Sequence, residues 1–173
     1  MEVGQIVCGK SGYPLHGKRG SVLYAERVSM RVSVVISWNG GKDVDICGVY
    51  NVIPGAIGFD HSTSIQGGGF KAVWTSNDNT SGGPETVSLE YDGNRSSLAD
   101  VFFDIHANWF RVGDDSGSSG GGTATVTATD SSGATRSFTL NPGTSKGRAA
   151  NTGDPGARIS FNVNGTVKSI TAC

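Results

Sequence analysis

Apolar and polar residues alternate on both sides of a glycine-rich turn between residues 32 and 50. Before the turn, every second residue is apolar: Val32, Val34, Ile36 and Trp38. After it, the apolar positions of one face are Val44, Ile46 and Tyr50. A period of two is typical of half-buried β-strands, and Asn39-Gly40-Gly41 tolerates the positive φ angles of a tight turn. The pattern predicts a hairpin, with Asp43 and Asp45 side by side on the polar face of its second strand.

Short apolar runs of the same kind continue to the end of the chain. Strands are expected over residues 21–30, 56–60, 70–74, 86–91 and 99–110, then in one hairpin over 123–140 and another around Asn164-Gly165. The run 99–110 is predicted to be the longest strand, with these inward residues: Val101, Phe103, Ile105, Ala107 and Trp109. About ten or eleven strands at this spacing predict an all-β, two-sheet antiparallel sandwich of the jelly-roll or immunoglobulin-like type. It would span residues 21–173, after an extended N-terminal arm over 1–20.

Composition agrees with an all-β chain and argues against several function classes. The 173 residues include 27 glycines, only 17% are charged, and no stretch keeps a helical period over three turns. A net charge of −1 argues against nucleic-acid binding, and we find no signal peptide or membrane span. The cysteines Cys8, Cys47 and Cys173 lack the spacing of a metal motif, and Cys47 is expected to be a small buried residue.

Three short motifs resemble a known family. A strand ending in Trp38, the sequence Asp43-Val44-Asp45-Ile46, and Gly83-Pro84-Glu85 leading into a further strand resemble the YfaP-like β-sandwich family. The tellurium-resistance stress-protein domain, whose members bind calcium, is similar in a looser way. The resemblance covers residues 30–140, and Cys47 and Gly48 depart from the bulkier residues of the family pattern. The resemblance implies a β-sandwich with an acidic loop. The family itself has no firmly assigned activity.

The acidic residues of these motifs suggest a calcium site. Ca²⁺ binds six to eight oxygen ligands from carboxylates, amides and carbonyls. The candidate metal ligands are Asp43, Asp45, Asp78 and Glu85, with Asn77 and Asn79 as further ligand-binding residues of the 76–85 loop. The ion would hold loops together, because no base or nucleophile lies nearby in the sequence. The alternative is that these Asn, Asp and Gly residues only form turns, with their carboxylates solvated.

Signatures of an enzyme are weak. Asp104 and His106 lie two residues apart on one strand face, but no GxSxG elbow accompanies them, and polar residues of a strand face are the simpler interpretation. No pair of acids is placed across a cleft as in a glycosidase, and no phosphate-binding glycine loop occurs. The sequence therefore favours a protein that is not an enzyme.

Two functions without catalysis remain open. The first is a structural subunit of a virion (a phage capsid decoration, head fibre or tail component) or of another extracellular surface assembly, whose partners are protein subunits. The glycine-punctuated segment 1–20, with Lys10, Lys18 and Arg19, favours this function. The second is a calcium-dependent carbohydrate-binding module, with Phe102 and Phe110 as candidate ligand-binding aromatics.

Overall fold

The computed structural model describes residues 27–39, 43–76, 78–79, 83–110, 122–144 and 148–173. The strands of these residues are β1 (Ser29–Trp38), β2 (Asp43–Tyr50), β3 (Ile57–Gly58), β4 (Ser64–Gly67), β5 (Phe70–Trp74), β6 (Glu85–Asp92), β7 (Phe102–Phe110), β8 (Ala124–Asp130), β9 (Thr135–Leu140), β10 (Gly156–Phe161) and β11 (Val167–Ala172). Within the same residues, no helix is long and apolar enough to cross a membrane. The predicted arm over 1–20 and Cys8 lie outside the described residues.

The strands form two antiparallel sheets that pack together. One sheet has six strands in the order β4-β5-β6-β1-β8-β9, and the other has five in the order β11-β10-β7-β2-β3. Strand β1 is central in the first sheet, where it pairs with β6 and β8. Strand β7 is central in the second, between β2 and β10. The prediction of an all-β, two-sheet antiparallel sandwich is confirmed.

One hydrophobic core lies between the sheets, and alternate residues of the long strands fill it. The inward residues that the alternation predicts on β1, β2, β6 and β7, and at Val101 just before β7, are all buried: Val32, Val34, Ile36, Trp38, Val44, Ile46, Tyr50, Val87, Leu89, Tyr91, Val101, Phe103, Ile105, Ala107 and Trp109. Cys47 is buried as expected. Each large apolar side chain contributes about 1.5–3 kcal/mol to folding on full burial, so this core is the main source of stability.

The predicted hairpin around Asn39-Gly40-Gly41 is wrong. Strand β1 belongs to the six-stranded sheet and β2 to the five-stranded sheet, and the two do not pair. The short connection between them instead passes from one sheet to the other. Alternation on both sides of a glycine turn is compatible with a hairpin and with a crossing between sheets, since each strand buries one face in both arrangements. The crossing brings the end of β1 close to the start of β2, which becomes important for the acidic residues.

Three further expectations about strands need correction. The longest strand is β1, with 10 residues, while β7 has 9 and begins at Phe102 because residues 99–101 precede the sheet. Strand β4 was not predicted, and it pairs with β5 across a turn at Gly68 and Gly69, both with positive φ. The strand predicted over residues 21–30 does not end at Met30, because residues 29–30 are the first residues of β1. Residues 21–26 of that prediction lie outside the described part of the chain.

A close backbone approach fixes the position of β3 beside β2. Gly58 pairs with Cys47 and has a φ of 127°. A Cβ atom at this position would lie 1.9 Å from the carbonyl oxygen of Ile46. Only glycine fits here, because any side chain would collide with backbone and would also need a rarely adopted φ.

Candidate metal centre

The four predicted acidic ligands come from both sheets and the loop between β5 and β6. Asp43 is the first residue of β2, and Glu85 is the first residue of β6. Glu85 is paired in register with Ile36, close to the end of β1 from which the chain crosses to β2. Asp78 lies in the connection from β5 to β6. The sheet crossing therefore gathers these carboxylates at one end of the sandwich.

Three of the four carboxylates form a tight group. Asp43, Asp45 and Asp78 each provide one carboxylate oxygen, and these oxygens all lie within 4.8 Å of one another. Glu85 is not a member of this group of three, but its pKa responds to the charges of all three. The structure therefore brings the predicted residues into one neighbourhood that spans both sheets.

Burial separates this cluster from an ordinary acidic surface. The exposed fraction is 6% for Asp43, 1% for Asp45 and 0% for Glu85, while Asp78 is partly exposed. Within the described residues, five of their carboxylate oxygens are buried without a hydrogen-bond partner: Asp43 Oδ1, Asp45 Oδ2, Asp78 Oδ1, Glu85 Oε1 and Glu85 Oε2. Buried polar atoms are nearly always paired, so five orphans in one place need an explanation. The alternative of solvated, turn-forming carboxylates is wrong for Asp43, Asp45 and Glu85.

The electrostatics of the cluster follow from burial and from like charge. Burial, followed by the neighbouring Asp43, Asp78 and Asp60, raises the pKa of Asp45 to about 7. Burial and Asp78 raise the pKa of Asp43 to about 6, and burial raises that of Asp78.

Glu85 shows the same effect from the opposite sheet. Burial is the largest cause that raises its pKa to about 8, and the charges of the three aspartates add to it. The nearby Asn79 backbone N–H offsets part of this increase, although it does not meet the geometry of a hydrogen bond to either Glu85 oxygen. The ion pairs found among the described residues join other groups: Arg95–Asp100, Arg148–Asp154 and Arg158–Asp104. Within the described residues, the cluster therefore has no basic side chain in an ion pair with it.

This donor set suits a hard divalent cation. Carboxylate oxygens are the ligands that Ca²⁺ prefers, and it takes further oxygens from carbonyls and water in a flexible shell. Mg²⁺ demands a tighter octahedron and keeps more of its own water. A cation here would pair with the orphaned oxygens and remove the repulsion that raises the pKa values. Asp43, Asp45, Asp78 and Glu85 are the residues that would hold it.

The other predicted site residues lie at different distances from the cluster. Asn79 is close to Glu85, and Asn77 lies outside the described residues. Phe110 is the register partner of Asp43, and its ring centroid lies 5.6 Å from that of Phe59. Phe102 is at the opposite end of β7, where the Arg158 guanidinium covers its ring at 3.6 Å from the centroid.

Two contributions to the site were not predicted from the sequence. Asp60 adds negative charge beside Asp45, in the turn that also carries Phe59. Trp38 packs on Gly83, where a Cβ atom would lie 2.9 Å from the indole ring and the φ is 61°. This contact fixes the loop two residues before Glu85. The Gly83-Pro84-Glu85 motif marks this loop in the sequence, but its packing partner Trp38 is distant in sequence.

Comparison with known protein families, curated proteins and solved structures finds no match to this chain. The resemblance to the YfaP-like family therefore stays a prediction from short motifs.

Proposed function

We propose that this protein is a non-enzymatic structural or interaction module whose sandwich is held at one end by a bound Ca²⁺ ion. The observation that supports the proposal is the group of buried, unpartnered carboxylate oxygens of Asp43, Asp45, Asp78 and Glu85. Removing carboxylates from water without counterions costs several kcal/mol, and a divalent cation offsets this cost directly. Since the carboxylates come from both sheets and a loop, the ion would tie these three parts together.

Thermal unfolding in calcium, magnesium and chelator tests this function. A ligand at 100 times its Kd stabilises the folded state by about 2.7 kcal/mol, which is a rise in Tm of about 5–10 °C for a domain of this size. We expect this rise with Ca²⁺ and a smaller one with Mg²⁺. Equal Tm values in calcium and chelator would contradict the proposal.

We further propose that the module serves in a larger assembly, with protein subunits as partners and a virion as the setting. This part is supported by the sequence of the basic, glycine-punctuated segment 1–20. Light scattering in calcium buffer should give a discrete multimer or larger particle. Deletion of residues 1–20 should leave the fold intact and give a monomer. A monomeric full-length chain, or a deletion variant that no longer folds, would contradict this part.

Calcium-dependent carbohydrate binding is the second candidate. It is favoured by the position of Phe110, which is paired in register with Asp43 and packs against Phe59. Aromatic faces beside a pinned loop can stack on the apolar face of a sugar. A glycan array should then give hits that disappear on chelation and in a Phe110→Ala variant. An array without hits in calcium would exclude this function for the sugars tested.

A further inference from the structure

A second group of metal-binding side chains lies away from the acidic cluster, where β7, β10 and the end of β11 meet. Asp104 and His106 are two residues apart on β7, and Cys173 directly follows β11. One oxygen, one ring nitrogen and the sulfur of these three residues lie within 4.8 Å of one another. Asp104 is 7% exposed and His106 is 6% exposed, whereas Cys173 is exposed.

Gly156 makes this approach possible. It is the register partner of His106, and its carbonyl accepts a hydrogen bond of 3.1 Å from the Cys173 backbone N–H. A Cβ atom at position 156 would lie 2.6 Å from His106 Nδ1 and 2.8 Å from Cys173 Sγ. The absence of a side chain on β10 therefore leaves the space in which the imidazole and the thiol meet.

A backbone carbonyl fixes the tautomer of His106. Nδ1 lies 2.8 Å from the carbonyl oxygen of Asp154, and since a carbonyl can only accept, Nδ1 carries the proton. In the neutral ring the lone pair is then on Nε2, which is therefore the nitrogen through which His106 would bind a metal, whereas Nδ1 is the nitrogen beside the Gly156 position. Histidines that bind metals are oriented in this way, by a second hydrogen bond from the nitrogen that does not bind.

Asp104 is held in place by an arginine fork. Arg158 Nε donates to Oδ1 and Nη2 donates to Oδ2, both at 2.8 Å. The guanidinium is itself stacked on Phe102. Each carboxylate oxygen keeps a second lone pair beyond the one that Arg158 uses, and the Cys173 thiol is placed to donate to the same carboxylate, so the sulfur and Asp104 face each other across the position of a cation. Each of the three donor residues is thus positioned by a contact of its own.

We propose that Asp104, His106 and Cys173 bind a transition-metal ion of the zinc class. Oxygen, imidazole nitrogen and thiolate sulfur are the donors of tetrahedral zinc sites, and three protein ligands leave a fourth position for water or a partner's ligand. The Cys173 thiol loses its proton to solvent when the sulfur binds the metal. This donor set differs from the all-oxygen set of the acidic cluster, so the two sites select different ions. The inference does not rest on calcium binding.

Titration of the reduced full-length protein with Co²⁺ as the probe tests the proposal. Cobalt bound through a thiolate gives an intense near-ultraviolet charge-transfer absorption, which oxygen ligands alone do not give. We expect this absorption to saturate at one Co²⁺ per chain, to disappear on addition of Zn²⁺, and to be lost in Cys173→Ser. His106→Gln should weaken Co²⁺ binding at least tenfold.

Matched variants identify which cysteine supplies the sulfur ligand. Cys47→Ala and Cys8→Ala should keep the cobalt absorption, although Cys47 is the other register partner of His106. Asp45→Asn, in the acidic cluster, should keep it too. Absence of the absorption in the wild type, or its persistence in Cys173→Ser, would overturn the proposal. Circular dichroism of Cys173→Ser shows whether the variant is folded, and His106→Gln gives an independent test.

Discussion

The substitution Asp45→Asn measures two effects of the Asp45 carboxylate separately: the loss of stability caused by its buried charge, and the stability that it contributes by binding a cation. Without metal, the folded-state pKa of Asp45 is about 7, whereas the ordinary value is 3.8. The folded protein therefore holds a proton that the unfolded chain has released between these pH values. Stability must then fall as the pH rises from about 4 through about 7, which is opposite to the effect of a carboxylate in a salt bridge.

The magnitude follows from the same two values. The difference between the ordinary and the folded-state pKa of Asp45 lowers the free energy of unfolding by about 4 kcal/mol when the carboxyl is fully ionised, because each pKa unit is worth about 1.4 kcal/mol. Neighbouring acids share the repulsion, so removal of the Asp45 charge should raise the free energy of unfolding by about 2–4 kcal/mol. At pH 8 in chelator, Asp45→Asn should therefore have a Tm about 5–15 °C above that of the wild type. At pH 4.5 the difference should shrink to about 1 kcal/mol, because the folded-state carboxyl is then protonated and only the unfolded chain has released most of its proton.

Thermal unfolding followed by circular dichroism, from pH 4.5 to 8.5, is the assay. In saturating Ca²⁺ at pH 8 the order should reverse, since the variant has lost a ligand while the wild type gains binding energy. Asp92→Asn is the control, because Asp92 is exposed at the far end of β6 and should change little in either buffer. If Asp45→Asn is no more stable than the wild type at pH 8 in chelator, the account of a strained, unpartnered cluster is wrong.

Two further predictions concern the scaffold. Gly58→Ala should lower the free energy of unfolding by at least about 3 kcal/mol in urea titration, whereas Gly133→Ala should cost about 1 kcal/mol. At position 133 a Cβ atom meets nothing within 4 Å and only the positive φ is unfavourable. Arg158→Ala should cost about 1.5–3 kcal/mol, because it removes two hydrogen bonds from the buried Asp104 carboxylate. Arg95→Ala, at an exposed ion pair, should change the urea midpoint much less; equal losses from both arginine variants would refute this ranking.

The sequence predicts the core better than it predicts which strands pair. Alternation identifies Val34 on β1 and Ile46 on β2 as inward residues, because burial of one face is a property of each strand alone. Whether Asn39-Gly40-Gly41 closes a hairpin or crosses between sheets depends on partners distant in sequence. The pattern is the same in both cases, so the hairpin prediction had no local feature to correct it.

The acidic site was predicted as a set of residues but not as a buried one. Alternation places Asp43 and Asp45 opposite the core face of β2, where solvent is the expected neighbour. The elements that approach that face, including the turn with Phe59 and Asp60, come from later in the chain. The second cluster was missed for a similar reason, because Cys173 reaches His106 only through strand pairing.

Direct measurement of calcium binding by isothermal titration calorimetry tests the central claim. The protein is first stripped with chelator and then titrated with Ca²⁺ at pH 8, which is above the raised pKa values of Asp43 and Asp45. The wild type and Asp92→Asn should each bind one Ca²⁺ per chain, and Asp45→Asn should bind at least tenfold more weakly. No binding to the wild type, or equal affinity in Asp45→Asn, would contradict the assignment of the buried cluster as a calcium site.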